Sequence, residues 1–363
     1  MLPTPMRFSI GLVFENQSAG KTINYINLRI QKIIMYDVIT VGSATVDVFA
    51  KTHFSELIKI IDPKGETDLL AFPSGTKILI DDLEFTTGGG GTNTAVALSR
   101  LGHKVAFLGK LGEGTNSDFI HKDLAKEKIN LLCVHGKGNA GYSVILDTLE
   151  HDRTILTYKG INDELRSEDI PYRKIKTKWF YFSSMMGESF HTLERLAEFA
   201  QQRGIKIAFN PSTYLAQGGS SHLKHILTRT ELLVLNREEA MMLAGHDSME
   251  LLLRKLRMLG PKIVIITDGK NELYAIDGKF IYSAKPPPVK IADTTGAGDA
   301  FASSFLCGIL KNKGTEFAIR LGIINAQSVV SHYGAKNILL GYNEAVKLMK
   351  NSKVSINKKS LSG

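Results

Sequence analysis

Asp293-Thr294-Thr295-Gly296-Ala297-Gly298-Asp299-Ala300-Phe301 is the stretch whose reading decides the fold. It follows a stiff connector, Pro286-Pro287-Pro288, and runs straight into an apolar helical segment. Glycine and alanine let the backbone turn tightly and approach a ligand. The free N–H groups of a helix start point the same way, and the helix dipole adds partial positive charge. Gly296, Ala297 and Gly298 therefore read as an anion hole, suited to the charge on a transferring phosphoryl group. Asp299 opens the helix. It is either a general base for an attacking hydroxyl or a plain N-terminal cap. The glycines beside it, and Asp293 ahead of them, favour the base.

The next informative text lies upstream: Gly88-Gly89-Gly90-Gly91-Thr92-Asn93-Thr94-Ala95, opening a helix that Gly102 stops. Four glycines before a helix allow backbone to approach a polar ligand. Their spacing does not match a dinucleotide fingerprint. Ser18-Ala19-Gly20-Lys21-Thr22 ends like a P-loop, but Glu15 stands where the leading glycine is required, so it reads as chance.

Around these segments the pattern is regular. Short apolar runs at 36–41, 104–108, 179–182, 206–209, 232–235 and 263–266 read as buried strands. Helical stretches at 92–101, 190–202, 249–259, 299–310 and 316–332 separate them, and 273–276 with 280–282 reads as a hairpin around Asp277-Gly278. Strands alternating with helices predict an α/β fold with a mostly parallel sheet and helices on both faces. Two β-rich excursions, about 46–87 and 140–160, interrupt the pattern. They are expected to pair into a small β-sheet lid over the carboxyl ends of the core strands, where open α/β sheets bind ligands. Residues 1–34 read as an N-terminal extension or a misassigned start, 35–350 as one domain, and 351–363 as a basic tail.

Composition sets the remaining bounds. The chain has 363 residues, 43% hydrophobic and 22% charged, with a net charge of +9. The lysines and arginines are spread along it, without zinc-finger spacing or an RNA-binding aromatic signature. A solvated basic surface that suits a polyanion such as ATP is expected, with no nucleic-acid partner. No apolar run is long enough to span a bilayer, so no membrane partner is expected. Two cysteines far apart, Cys133 and Cys307, argue against a disulfide framework or metal cluster and for a reducing, cytoplasmic setting. His135, His151 and His332 show no partner pattern.

Taken together, the two glycine-rich segments resemble the two signatures of the ribokinase-like (PfkB) family of carbohydrate kinases. Gly89, Gly91, Asn93, Ala95, Gly102 and Gly112 match the first in register. Asp293 to Ser303 match the second, with a departure at Ser304, where a smaller residue is usual. The resemblance covers about 36–350. It implies a three-layer αβα sandwich with a lid, an ATP-dependent sugar kinase, Asp299 as base and Gly296–Gly298 as anion hole. It further implies that Asp47, Gly89, Gly90, Asn93 and Asn162 meet the substrate. Asn236, Thr267, Gly269 and Asn325 would border the nucleotide. Glu239 would hold Mg²⁺ through water, although Asn236 and Glu239 also read as a helix-capping pair. Asp293 and Thr295 would belong to a K⁺ site, and a homodimer would form through the lid.

Several departures leave the acceptor open among hexoses, nucleosides and sugar phosphates. Gly90 stands where ribokinases carry Lys. No carboxylate stands near Ser184 or Met185, and Glu272 replaces a usual glycine. The segment between Asp47 and Gly88 is longer than in ribokinase. A nucleoside kinase would stack its base on lid aromatics, for which Phe85 and Tyr142 are candidates. A ligand-binding regulator that kept the fold is the third reading.

Overall fold

β-Branched and aromatic runs become strands where both faces of a sheet can be covered, as the parallel strands of the central sheet are. The computed structural model describes residues 34–52, 56–62, 65–147 and 153–361. The expected N-terminal extension lies outside them apart from Ile34. The chain enters the core through β1 (Tyr36–Val41) and turns into β2 (Thr45–Lys51). A hairpin of β3 (Glu56–Asp62) and β4 (Gly65–Ala71) follows, then β5 (Asp82–Gly88) and α1 (Gly90–Arg100). Next come β6 (Val105–Leu108), β7 (Lys110–Leu111), α2 (Thr115–Lys126), β8 (Asn130–Leu131) and β9 (Val134–His135). The strands β10 (Gly141–Asp147) and β11 (Arg153–Tyr158) complete this half.

The second half is more regular. It runs β12 (Thr177–Phe182), α3 (Gly187–Arg203), β13 (Lys206–Phe209), α4 (Ser212–Ala216) and α5 (Gly219–Leu227). Then follow β14 (Leu232–Asn236), α6 (Arg237–Ala244), α7 (Met249–Met258) and β15 (Ile263–Thr267). The chain closes with β16 (Leu273–Ile276), β17 (Phe280–Ala284), α8 (Ala297–Leu310), α9 (Thr315–Val330), α10 (Tyr342–Asn351) and β18 (Ile356–Ser360).

Ten strands form the central sheet in the order β18-β17-β16-β15-β14-β13-β12-β1-β6-β8. From β15 to β8 every pairing is parallel, and β16, β17 and β18 add an antiparallel edge. Alternate side chains enter opposite layers, as a period of two requires. Val38, Tyr181, Val234 and Ile265 join α1, α8 and α9 on one face. Ile39, Phe180, Phe182 and Leu233 join α3, α5 and α7 on the other.

The two β-rich excursions meet in one four-stranded sheet, β11-β10-β2-β5, built on a parallel β2–β10 pair. The β3–β4 hairpin stands as a separate two-stranded sheet. Residues 351–363, expected as a tail outside the domain, instead supply β18. It pairs antiparallel with β17, and Lys358 lies 3.9 Å above the Phe280 ring and 3.0 Å from Glu316. Ile356-Asn357-Lys358-Lys359-Ser360 carries no strand signal of its own, but an edge strand needs only one neighbour, and lysines suit an edge.

The helices α8 and α9 pack at their closest around Gly308. A Cβ there would lie 2.7 Å from the Ala318 backbone. Gly308→Val is therefore expected to cost about 1–3 kcal/mol through overpacking. Urea unfolding would read this as a lower midpoint at unchanged slope.

Candidate active site

The strand order reverses direction at β1, which has β6 on one side and β12 on the other. A crevice opens at the carboxyl ends of strands at such a switch point. Here the glycine run fills its floor. Gly89 sits at φ 94°, and a Cβ on it would come within 2.5 Å of the Ser43 carbonyl. Gly91 donates its N–H to that carbonyl at 3.1 Å, and its own Cβ would strike Gly42 at 2.8 Å. Backbone rides on backbone, so α1 begins directly beside the end of β1. A Cβ on Gly90 would meet Ser183 at 2.9 Å, with Asp299 Oδ1 3.8 Å away. A larger residue at position 90 would intrude between them.

The second glycine segment arrives from the other side. Gly296 adopts the left-handed conformation at φ 77°, and Ala335 leaves no space for a side chain on it. Ala297 donates its N–H to the Thr294 carbonyl at 3.3 Å, and Ala300 donates to Gly296 at 2.8 Å. Among the described residues the N–H groups of Gly298 and Asp299 have no backbone acceptor. Of the expected Gly296–Gly298 segment, the Ala297 N–H is thus engaged in closing the turn. A Cβ on Gly298 would meet nothing within 4 Å, so the helix start is open above it.

Asp299 is half-buried in the first turn of α8, where Asn93 Nδ2 from α1 donates to its Oδ2 at 2.9 Å. Burial raises its carboxyl to about 6, with Asp47 and Glu239 pushing the same way. The Asn93 hydrogen bond and the Lys336 charge oppose this. Asp47, on β2, is buried and accepts from Thr45 Oγ1 at 2.8 Å. Burial holds its carboxyl above the usual range. The expected pair of acidic residues is therefore brought together.

Lys336 was not foreseen. Its ammonium is buried, donates to Thr87 Oγ1 at 2.6 Å and Thr92 Oγ1 at 3.3 Å, and pairs with Asp123 Oδ2 at 3.2 Å. Thr87 closes the set with a short hydrogen bond to the same carboxylate. Burial lowers the lysine's pKa against the pull of Asp123 and Asp47. No local pattern marks a lysine after Gly334-Ala335 as buried. Only its distant partners do.

Buried polar atoms without a partner also gather here. Among the described residues they include Asn93 Oδ1, Tyr181 Oη, Ser183 Oγ and Ser184 Oγ. Buried polar atoms are ordinarily paired, and an unpaired one costs about 1–3 kcal/mol. Tyr181 is fully buried, which holds its hydroxyl well above the usual range, and the charges of Asp299 and Glu239 add to this. The serines stand where the family resemblance implies a carboxylate. Two carboxylates, an amide and three hydroxyls in this region suit a ligand rich in hydroxyl groups.

Other expected residues have protein partners of their own. Asn162 accepts from the Ala44 N–H at 2.9 Å and donates to the Ala44 and Lys159 carbonyls at 3.0 and 2.9 Å. Its amide braces the start of β2. Asn325 donates to Ser304 Oγ at 2.7 Å and accepts from the Leu340 N–H at 3.0 Å, so it pins α8, α9 and the chain beyond. Ser304, the departure from the signature, is its partner. Asn236 and Glu239 form a complete capping box, at 2.8 and 3.0 Å, and Thr213 Oγ1 reaches Glu239 Oε1 at 3.4 Å. Thr267 Oγ1 donates to the Leu235 carbonyl at 3.3 Å, and Gly269, at φ 54°, borders open space. Asp293 Oδ1 accepts both the N–H and hydroxyl of Thr295, at 2.8 and 2.7 Å, while Oδ2 accepts from Gly334. Phe85 and Tyr142 pair with Val48 and Val46, which places them on the lid face opposite Asp47. They are not placed to stack on a substrate beside that carboxylate.

Residues 54–340 match the pattern of the pfkB family carbohydrate kinases. The chain is 29% identical over 248 residues to an uncharacterized sugar kinase of Archaeoglobus fulgidus, covering 66% of this chain and 97% of that one. It is 28% identical over 275 residues to a cytidine kinase of Thermococcus kodakarensis, covering 74% and 94%. The fold is similar to that of a ribokinase from Thermotoga maritima, with a TM-score of 0.74 and 22% identity over 87% of this chain and all of that one. The chain belongs to the PfkB family and is an ATP-dependent kinase.

Because the Lys336 charge opposes the burial of Asp299, Lys336→Met is expected to move the Asp299 titration upward from about 6. Carboxyl NMR across a pH series would measure it, with circular dichroism confirming the fold.

Proposed function

We propose that this kinase transfers the γ-phosphate of ATP to a hydroxyl of a sugar or sugar derivative, with Asp299 as the general base. The observation that carries the reading is the Asn93–Asp299 hydrogen bond. It fixes a half-buried carboxylate at the start of α8, beside two N–H groups without a backbone acceptor and a cluster of unpaired hydroxyls. Its relatives named for a sugar and for cytidine both act on molecules that carry sugar hydroxyls, which supports the acceptor class.

The roles follow from position. Asp47, Asn93 and the serines at 183 and 184 hold acceptor hydroxyls within the crevice. Asp299 takes the proton of one of them as its oxygen bonds to the γ-phosphorus and the bond to ADP breaks. The N–H groups of Gly298 and Asp299, at the positive end of α8, face the charge that develops on the phosphoryl oxygens. Mg²⁺, when bound, neutralises phosphate charge. Glu239 fits a water-mediated hold on it, since one carboxylate oxygen has only the long Thr213 contact. Asp293 and Thr295 are bonded to each other and to Gly334, their oxygens keep lone pairs that a K⁺ ion could use, and no step is assigned to that ion. The lid excludes water, which limits hydrolysis of ATP. Phe85, Leu156 and Tyr158 are exposed on the lid and support pairing of two copies there.

The test is ATP consumption against a panel of sugars, sugar phosphates and nucleosides with Mg²⁺. Asp299→Asn should lower turnover on the active member by ~10² or more while ATP still binds. An undiminished rate in that variant would remove Asp299 from the role of base. Since the base works ionised, kcat/KM of the wild type should rise with pH through about 6 and level off above it.

A further inference from the structure

Away from the crevice, α2 and the corner between β8 and β9 bring three ligand-bearing side chains together. His121 lies on α2, Cys133 in the corner, and His135 on β9. One ligand atom from each lies within 4.8 Å of the others. The two imidazole rings stack nearly parallel, at 7° with centroids 5.1 Å apart. Cys133 is a free cysteine, half-buried, and His135 is exposed, so the cluster opens to solvent. Cys133-Val134-His135 enters an extended strand, where residues two apart share a face, and His121 approaches from the helix above.

We propose that His121, Cys133 and His135 bind a single divalent ion of the zinc type, with a fourth position open to water. Two imidazoles and one thiolate are the donor set that such borderline ions prefer over the oxygen ligands chosen by Mg²⁺. The ligand atoms stand slightly wider than bonds of about 2.0–2.3 Å to one ion require. Small side-chain rotations at a solvent-facing corner close that gap. Binding replaces the Cys133 S–H bond by a sulfur–metal bond and releases the proton to solvent. None of the three residues takes part in the proposed phosphoryl transfer. Two distant cysteines argue against a metal cluster built on cysteines, whereas this site uses one cysteine and takes its other ligands from histidines.

The site is tested on full-length, tag-free protein stripped with chelator and titrated with Co²⁺, then with Zn²⁺ in competition. The expected result is one Co²⁺ per chain with thiolate-to-cobalt charge-transfer absorption, which Zn²⁺ abolishes. Cys133→Ser should abolish the band, while Cys307→Ser, which removes a buried cysteine elsewhere, should keep it. His121→Ala and His135→Ala should each weaken binding by at least the roughly 10–100-fold that losing an outer-shell partner costs. Zn²⁺ should raise the unfolding temperature of the wild type and not of Cys133→Ser. It should also protect Cys133 from alkylation, as read by peptide mass. A protein without the charge-transfer band, or with binding unchanged in all three ligand variants, overturns the proposal, as does equal alkylation of Cys133 with and without Zn²⁺.

Discussion

The starts of α1 and α8 converge on one half-buried carboxylate, and the rest of the structure holds them there. Asp299 and Asn93 lie far apart in the chain yet meet at 2.9 Å. Each helix reaches that point through a glycine whose backbone no other residue adopts easily, Gly89 at φ 94° and Gly296 at φ 77°. The cost is electrostatic. Holding the carboxyl at about 6, against an ordinary value of 3.8, disfavours the ionised form by about 3 kcal/mol. The folded state is penalised progressively as the pH rises from the ordinary value, and in full above about 6. Such shifts cluster at functional sites, which supports the proposed role of Asp299.

The lid is tied to this centre by a second electrostatic device. Lys336 binds Thr87 at the end of β5, Thr92 in α1 and Asp123 in α2 with one buried ammonium. Breaking a buried pair by removing one partner leaves an uncompensated charge, so the link is far stiffer than a surface ion pair. Its charge also reaches Asp47 and Asp299. The same lysine thereby fastens the lid strand and moderates both acids. Asp123 lies two residues after His121 on α2, so the histidine–cysteine corner stands on the helix that anchors the lid.

Several residues expected at a ligand also brace the protein. Asn162 and Asn325 hydrogen-bond to protein partners, and Asn236 with Glu239 closes a capping box. Asparagine at a strand end or helix start has the same appearance whether it faces a ligand or the backbone, since both offer hydrogen bonds. Their contribution to the site is rigidity, which a phosphoryl transfer that depends on positioning also requires.

The alternation of short apolar runs with helical segments determined the layered α/β fold, because period-two and helical patterns each admit one way of burying their apolar face. The two glycine segments determined the position of the site, because tight backbone approach leaves few other residues possible. The lid sheet was legible from its β-rich excursions. Its register was not, and register decides that Asp47 faces away from Phe85 and Tyr142. The partners of Lys336, the strand at 356–360, the unpaired hydroxyls near Asp299 and the His121–Cys133–His135 corner came only with the tertiary structure. Each depends on contacts between segments distant in the chain, and the energy of such contacts leaves no trace in local composition or spacing.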